Sequence, residues 1–156
     1  PEVWVSVSVT TRSPRPGEAD GVDYLFRTAE QFDRLIEQNG LLEWATVHGK
    51  HRYGTPSAPV FTVQGEGRPV ILEIDLQGAR QVRETLPTAQ YVFLAPPDWD
   101  TLVERLEGRG TETPAQVERR LETAKVELAA AQEFDTVIVN DDVDRAVAEL
   151  VSFLGL

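Results

Sequence analysis

Three apolar segments, separated by patterns typical of helices, constrain the fold of this chain more than any other feature. Pro69–Ile74, Gln90–Ala95 and Thr136–Val139 are nearly continuous in apolar residues, as strands buried on both faces are. Apolar side chains recur at helical spacing between and after them, over residues 78–85, 99–106, 117–128 and 143–154. Strands that alternate with helices in this way predict an α/β fold built on a parallel sheet.

The first half of the chain predicts shorter strands and a second, α+β lobe. Val3–Val9 alternates and is rich in β-branched residues, which predicts a strand that leads into a loop containing proline and glycine. Leu41–Val47 predicts a strand whose return begins near Arg52. A short strand is expected around residues 24–26.

Capping residues predict two helices in this lobe. Thr28 and Gln31 form a capping box ahead of a helix that ends near Gly40. Thr55 followed by Pro56 predicts an N-cap and a first helical position, which would open a modest helix ending near residue 65.

The charge balance excludes several classes of function. With 26 acidic and 15 basic residues, the 156-residue chain carries a net charge of −11, which opposes general binding to nucleic acids or anionic membranes. The absence of cysteine excludes a disulfide scaffold and a Cys-based zinc site.

Because we find no apolar run of membrane-spanning length and no signal-peptide pattern, we expect a soluble, cytoplasmic protein. The chain starts at Pro1 and contains no Met, so we expect it to be part of a longer translation product.

Arginines dominate the basic residues and gather in two clusters. All of the 15 basic residues except Lys50 and Lys125 are arginines. Arginine is preferred where planar, bidentate contact with phosphate is needed, although GC-rich coding would produce the same bias. One cluster lies in the proline-containing loop, and the other flanks the glycine-rich segment GRGTETP, which predicts a lid. The clusters predict a pocket for a phosphorylated ligand, the alternative being ion pairs on solvated faces. Their members are Arg12 and Arg15 in the first cluster and Arg105, Arg109, Arg119 and Arg120 in the second.

Asp75 directly follows the first of the apolar segments and is a candidate metal ligand. Ligands bind at the carboxyl ends of the strands in open parallel sheets. An apolar strand that ends in aspartate is the Walker-B arrangement, whose carboxylate serves a magnesium ion or its water shell. Acidic residues at strand ends more often cap the following helix, and that alternative stays open.

A set of motifs in a fixed order resembles the guanylate kinase family. The motifs are SVSVTTRSPRPGE, GVDY, LLEW, YGT, EIDLQGA, FLAPP, RLEGRGTET and VIVN. Each one alone is modest, but their ordered combination is specific and covers nearly the whole chain.

The resemblance implies how a guanine base would be recognised. Glu43 would accept hydrogen bonds from the guanine N1–H and the exocyclic amine, while Ser8 and Thr55 would contact O6. Adenine presents an acceptor at N1, so it would leave a buried Glu43 carboxylate unpaired at a cost of about 1–3 kcal/mol or more. Taken singly, each of these residues also fits an ordinary structural role, and that alternative stays open.

The resemblance also implies which residues handle the phosphates. Asp75, with Glu73 beside it, would lie near the phosphates and hold Mg²⁺. Asn140 matches the position that contacts the adenine of ATP. Arginines of the second cluster would close over the transferring phosphoryl group and offset its developing negative charge. The GMP phosphate would be bound by Arg12, Arg15, Tyr24 and Tyr53, and the closing arginines are Arg105, Arg109 and Arg120; His48, His51 and Arg119 have no implied role.

The implied fold is α/β, with a P-loop-kinase-like parallel sheet core, an inserted α+β GMP-binding lobe over residues 8–56 and a helical lid over residues 105–120. The remainder would be core, so residues 1–156 are expected to form one domain of this family.

The chain contains no G-x-x-x-x-G-K-[ST] loop, which the family places upstream of Pro1. We therefore expect the first strand and the P-loop helix to be absent and the chain to be inactive on its own. The stretch from Glu43 to Tyr53 is one residue longer than in the family, which a hairpin loop absorbs.

The favoured hypothesis is a guanylate kinase that transfers the γ-phosphoryl group of MgATP to GMP, giving GDP and ADP, by positioning and electrostatic stabilisation. A catalytically inactive guanylate-kinase-like module that binds GMP or a phosphorylated protein partner is the alternative. A third possibility is a regulator that senses GMP without turnover. The missing P-loop favours the module, whereas the lid arginines and Asn140 favour the kinase.

Overall fold

Two parallel strand pairs and one four-stranded sheet make up the β-structure of the computed structural model, which describes residues 2–156. The chain divides into two compact units between Ala89 and Gln90. Each unit holds one of the parallel pairs, and the first unit also holds the four-stranded sheet. The mixed α/β architecture with parallel strands agrees with the fold class predicted from the sequence.

The first parallel pair joins β1 (Trp4–Val5) to β6 (Val70–Ile71). The prediction of one strand over Val3–Val9 is wrong, because the chain leaves this pair after β1 and enters the four-stranded sheet as β2 (Val9–Thr10). The strand predicted over Pro69–Ile74 is likewise shorter than expected, and β6 is half-buried. The sequence pattern continues without a break from Val3 to Val9, so it did not mark where the chain changes from one sheet to the other.

The four-stranded sheet of the first unit consists of β2, β3 (Leu25–Phe26), β4 (Leu41–Val47) and β5 (His51–Pro56), in the order β3-β2-β5-β4. The strands β4 and β5 form an antiparallel hairpin, and β2 pairs antiparallel with β5. The predicted hairpin is therefore confirmed, and β4 lies at one edge of the sheet.

Three helices lie in the described part of the first unit, residues 2–89. The predicted capping box of Thr28 and Gln31 opens α1 (Ala29–Glu37), whose Phe32 is fully buried. The helices α2 (Ser57–Gly65) and α3 (Leu76–Thr85) follow. The prediction that Thr55 caps α2 is wrong, because Thr55 and Pro56 end strand β5 and the helix begins without a side-chain cap.

The second unit pairs β7 (Val92–Ala95) with β8 (Thr136–Val139) in parallel register. Its helices are α4 (Trp99–Gly108), α5 (Pro114–Ala129) and α6 (Val143–Leu154), all at the positions that the apolar spacing predicts. A capping box of Thr113 and Gln116 opens α5. No helix within residues 2–156 is both long and apolar enough to cross a membrane.

Candidate functional site

Strand β5 carries one residue that is predicted to bind the phosphate and one that is predicted to recognise the base. Tyr53 and Thr55 are two residues apart, so their side chains leave the strand on the same face, about 7 Å apart along it. Tyr53 pairs in register with Thr10 of β2, and Thr55 pairs with Glu43 of β4. One strand thus carries both the aromatic residue predicted for phosphate binding and the hydroxyl predicted for base recognition.

Arg12, Tyr24 and Tyr53, which are predicted to bind a phosphate, contact one another. Arg12 Nε donates a 3.2 Å hydrogen bond to the Tyr53 hydroxyl, and the Arg12 guanidinium lies 5.2 Å from the centre of the Tyr24 ring. The rings of Tyr24 and Tyr53 meet edge to face, with centroids 5.8 Å apart. Burial raises the pKa of the Tyr24 hydroxyl, which keeps it protonated and able to donate. The cluster presents one guanidinium and two phenols, which are suitable donors for an oxyanion.

Glu18 is a member of this cluster that sequence reasoning missed. Arg12 Nη2 donates to both carboxylate oxygens of Glu18, at 3.1 and 2.9 Å, and Nη1 donates to the Ser13 carbonyl. The ion pair is largely shielded from solvent, with 11% of the Arg12 side chain and 17% of the Glu18 side chain exposed. These bonds fix the plane of the guanidinium before any ligand arrives. The signal for this ion pair in the sequence was the presence of a basic and an acidic residue, Arg12 and Glu18, in one proline-containing loop.

Glu43 is a buried carboxylate with a hydroxyl donor beside it. Only 5% of the residue is exposed, and Thr55 Oγ1 donates a 2.7 Å hydrogen bond to Glu43 Oε1. Burial raises the pKa of Glu43 to about 7, the Thr55 hydrogen bond opposes this, and the negative charge of Asp75 adds to the increase. The fold compensates the negative charge of the Glu43 carboxylate only weakly. The carboxylate is therefore suited to accept hydrogen bonds from a ligand.

Asp75 caps helix α3, as the structural alternative from the sequence proposed. Its Oδ1 accepts a 2.9 Å hydrogen bond from the backbone N–H of Gly78. No group of three or more His, Cys, Asp or Glu side chains within residues 2–156 is arranged to hold a metal ion. Mg²⁺ is commonly bound through one or two carboxylates together with waters and substrate phosphates, so a site for this ion does not need a larger group of carboxylates.

Two glutamines of α3 join the helix to β4, and neither was predicted from the sequence to have this role. The side chain of Gln81 accepts from the Trp44 N–H at 3.1 Å and donates to the Trp44 carbonyl at 2.6 Å. Gln77 donates to the Thr46 carbonyl at 3.1 Å. Their separation of four residues, which places both on one face of a helix, was the signal in the sequence.

The remaining predicted residues of the first unit lie close by in the chain, with different exposure. Ser8 is half-buried directly before β2, and its carbonyl accepts from the Leu25 N–H. Arg15 is also half-buried, and its carbonyl accepts from the Glu18 N–H. Glu73 is exposed. The contacts described above join Arg12 with Tyr24 and Tyr53, and Glu43 with Thr55, while the negative charge of Asp75 acts on Glu43. The roles predicted for these residues, and for Ser8, Arg15 and Glu73, remain predictions.

The second unit carries the predicted arginines on and between α4 and α5. Arg105 lies in the last turn of α4 and Arg109 is its C-cap, and both are exposed. Arg120 is half-buried and forms a 2.8 Å ion pair with Glu112, whereas the neighbouring Arg119 is exposed. Asn140 directly follows β8, and its N–H donates to the Ala95 carbonyl at 2.7 Å.

A cleft of about 520 Å³ lies between β8 and α6 of the second unit. It is lined in part by Ile138, Arg145 and Phe153, and none of its lining residues is a predicted site residue. The cleft is therefore not part of the candidate site.

The chain is similar along its whole length to proteins of one family. The family model for guanylate kinase matches residues 2–155. The guanylate kinase of Cutibacterium acnes is 67% identical over 156 residues, which cover 100% of this chain and 78% of that protein. The guanylate kinase of Thermobifida fusca is 58% identical over 155 residues, covering 99% of this chain and 79% of that protein. A crystal structure of guanylate kinase from Anaplasma phagocytophilum superimposes with a TM-score of 0.82 at 33% identity, covering 97% of this chain and 74% of that one. The similarity therefore extends over both units.

Proposed function

This chain belongs to the guanylate kinase family, and we propose that its first unit binds GMP as the acceptor of the γ-phosphoryl group of ATP. The resemblance deduced from the motifs is thereby confirmed at the level of the family. The observation that carries the proposal for the site is the buried Glu43 carboxylate, held by Thr55 on the same strand that presents Tyr53 to Arg12.

Glu43 would recognise the guanine base by accepting two hydrogen bonds. Guanine offers two adjacent donors, the N1–H and the exocyclic amine, whereas adenine presents an acceptor at N1. A carboxylate that is 5% exposed and already has a raised pKa gains much from two new donors and loses much when it faces an acceptor. Thr55, and Ser8 nearby, would address O6 of the base. Selectivity for guanine would therefore come from the burial and the raised pKa that Glu43 has before the ligand binds.

Arg12, Tyr24 and Tyr53 would bind the phosphate of GMP, with Arg15 as a fourth donor. Glu18 and the Ser13 carbonyl hold the guanidinium of Arg12 in place, so little side-chain freedom is lost when a phosphate binds. The spacing of about 7 Å between Tyr53 and Thr55 along β5 suits a ligand whose phosphate and base are separated by a ribose. The fit of both ends to one strand supports a nucleoside monophosphate as the ligand.

Phosphoryl transfer would rest on positioning and charge, without a covalent intermediate. Asp75, with Glu73 close in the chain, would hold Mg²⁺ or its water shell. When bound, that ion neutralises charge on the phosphate oxygens. Asn140 would contact the adenine of ATP. The arginines that would offset the negative charge of the transferring group are Arg105, Arg109 and Arg120.

Calorimetric titration of this chain with GMP, AMP and guanosine tests the binding part of the proposal. We expect GMP to bind, AMP to bind much more weakly, and guanosine to lose the contribution of the phosphate group. Equal binding of GMP and AMP would contradict the role of Glu43. Turnover is tested separately, by following ADP formation from ATP and GMP with the protein as its gene encodes it. GMP binding without turnover in that protein would favour the alternative of an inactive binding module.

A further inference from the structure

Gly78 lies in the first turn of α3, directly against the carboxylate of Glu43. A Cβ atom at Gly78 would overlap Glu43 Oε2, and it would lie 2.9 Å from Glu43 Cδ and 3.2 Å from Asp75 Oδ1. The backbone of Gly78 is helical and its φ is not in the left-handed region, so its conformation does not require glycine. Glycine is needed at this position because there is no room for a side chain.

The helix and the strand that carry these two residues are held together on both sides of Gly78. Gln77 donates to the Thr46 carbonyl, and Gln81 binds both the N–H and the carbonyl of Trp44. Because these bonds fix α3 against β4, a methyl group at position 78 cannot be relieved easily by separating the two elements. The group that would move is the end of the Glu43 side chain, at the cost of its hydrogen bond with Thr55.

We propose that Gly78 is a specificity-determining positioning residue, which leaves the space in which α3 holds the Glu43 carboxylate for recognition of the purine base. The inference rests on the proposed function, in which Glu43 accepts from the guanine N1–H and exocyclic amine. Both donors are bonded at once only if the two carboxylate oxygens lie in the plane of the base, so displacing the carboxylate weakens GMP binding. AMP offers no such pair of donors and loses little by the displacement.

The test compares Gly78→Ala with a matched glycine substitution. Gly65→Ala is the control, because Gly65 ends α2 in the same unit and a Cβ there would meet nothing within 4 Å. Dissociation constants for GMP and AMP are measured by calorimetry for both variants, for Glu43→Gln and for the double variant G78A/E43D. Thermal unfolding is followed for all of them.

We expect Gly78→Ala to fold and to lower the ratio of GMP to AMP affinity by about tenfold or more, while Gly65→Ala keeps the ratio. The shorter side chain in G78A/E43D relieves the overlap, so part of the selectivity lost in Gly78→Ala should return. If Gly78→Ala unfolds and the double variant folds, the overlap with Glu43 is likewise supported.

Two results would overturn the inference in distinguishable ways. An unchanged ratio in Gly78→Ala, with a lowered ratio in Glu43→Gln, would remove Gly78 from base selection and leave the proposed function standing. An unchanged ratio in Glu43→Gln would remove the role of Glu43, and with it the role of Gly78. Unfolding of Gly78→Ala both with and without E43D would show that glycine is needed there for a reason unrelated to Glu43.

Discussion

Thr55 Oγ1 donates a 2.7 Å hydrogen bond to Glu43 Oε1 across the β4–β5 hairpin, and both residues are buried. In-register pairing of the two backbones places these side chains side by side on one face of the sheet. The hydroxyl satisfies one carboxylate oxygen and directs the side chain. This pair is the structural basis of the predictions for base selectivity.

Glu43→Gln should weaken GMP binding and relax discrimination against AMP. The amide oxygen still accepts one hydrogen bond, but the amide nitrogen is a donor and meets the donors of guanine. We expect GMP affinity to fall by about tenfold to a hundredfold and the ratio of GMP to AMP affinity to fall with it. Calorimetric titration with both nucleotides measures this. Unchanged selectivity would exclude Glu43 as the residue that reads the base.

The ligand-free chain should lose stability relative to Glu43→Gln as the pH rises from 4.5 through 7. Burial raises the pKa of Glu43 from 4.5 to about 7, so between these values the folded chain holds a proton that the unfolded chain releases. The stability that the protonated carboxyl provides is therefore complete below pH 4.5 and lost above pH 7. We expect the difference in unfolding free energy between variant and wild type to increase by up to about 3 kcal/mol over this range. Urea unfolding at several pH values measures it, and a difference independent of pH would refute the raised pKa.

Thr55→Val should weaken GMP binding by about tenfold, with Thr55→Ser as the matched control. Valine keeps the shape of threonine and removes the hydroxyl, which leaves the buried Glu43 carboxylate without its side-chain donor. Serine keeps the hydroxyl and should bind GMP within about threefold of wild type. If the two variants bind GMP equally well, the hydroxyl has no part in recognition.

Tyr53→Phe should weaken GMP binding several-fold without changing the preference for GMP over AMP. The substitution removes the hydroxyl that accepts from Arg12 Nε and keeps the ring that packs on Tyr24. A donor to the phosphate contributes equally to both nucleotides, because both carry the same phosphate. Guanosine, which has no phosphate, should bind the variant and the wild type alike. A selective loss of GMP over AMP would place Tyr53 at the base instead.

Arg109→Ala should lower turnover far more than it weakens GMP binding, when measured on the protein as its gene encodes it. The arginines of the predicted lid are proposed to stabilise charge that develops during transfer, which affects kcat. A loss of about 10²–10³-fold in kcat is expected, with little change in the KM for GMP. Arg119→Ala is the control, because Arg119 is exposed and has no proposed role. A variant that loses only GMP affinity would contradict the role of Arg109.

The sequence predicted the elements well where the signals are local. The capping box of Thr28 and Gln31, the strands Leu41–Val47 and Thr136–Val139 and the helix Val143–Leu154 follow from neighbouring residues alone. The prediction for Thr55 was wrong because a threonine before a proline has the signature of an N-cap. Its hydroxyl instead found a carboxylate that is distant in sequence and adjacent across the hairpin.

Contacts between distant segments could not be predicted by these means. Periodicity marks which face of α3 is buried, but it does not say that Gln81 binds Trp44, which is 37 residues earlier. The overlap that requires glycine at position 78 depends on the same packing. The motif resemblance predicted which residues form the site. The residues that hold these side chains in place, including Glu18, were identified only from the structure.

The bonds from α3 to β4 also decide what the outer edge of the four-stranded sheet can do. An edge strand normally presents unpaired N–H and carbonyl groups, on which a strand from another molecule can add. Along β4, the side chain of Gln81 occupies both backbone groups of Trp44, and Gln77 occupies the carbonyl of Thr46. These three backbone groups are therefore already bonded and are not available to a strand from another molecule, which opposes strand addition at Trp44 and Thr46. Trp44 itself is 37% exposed there.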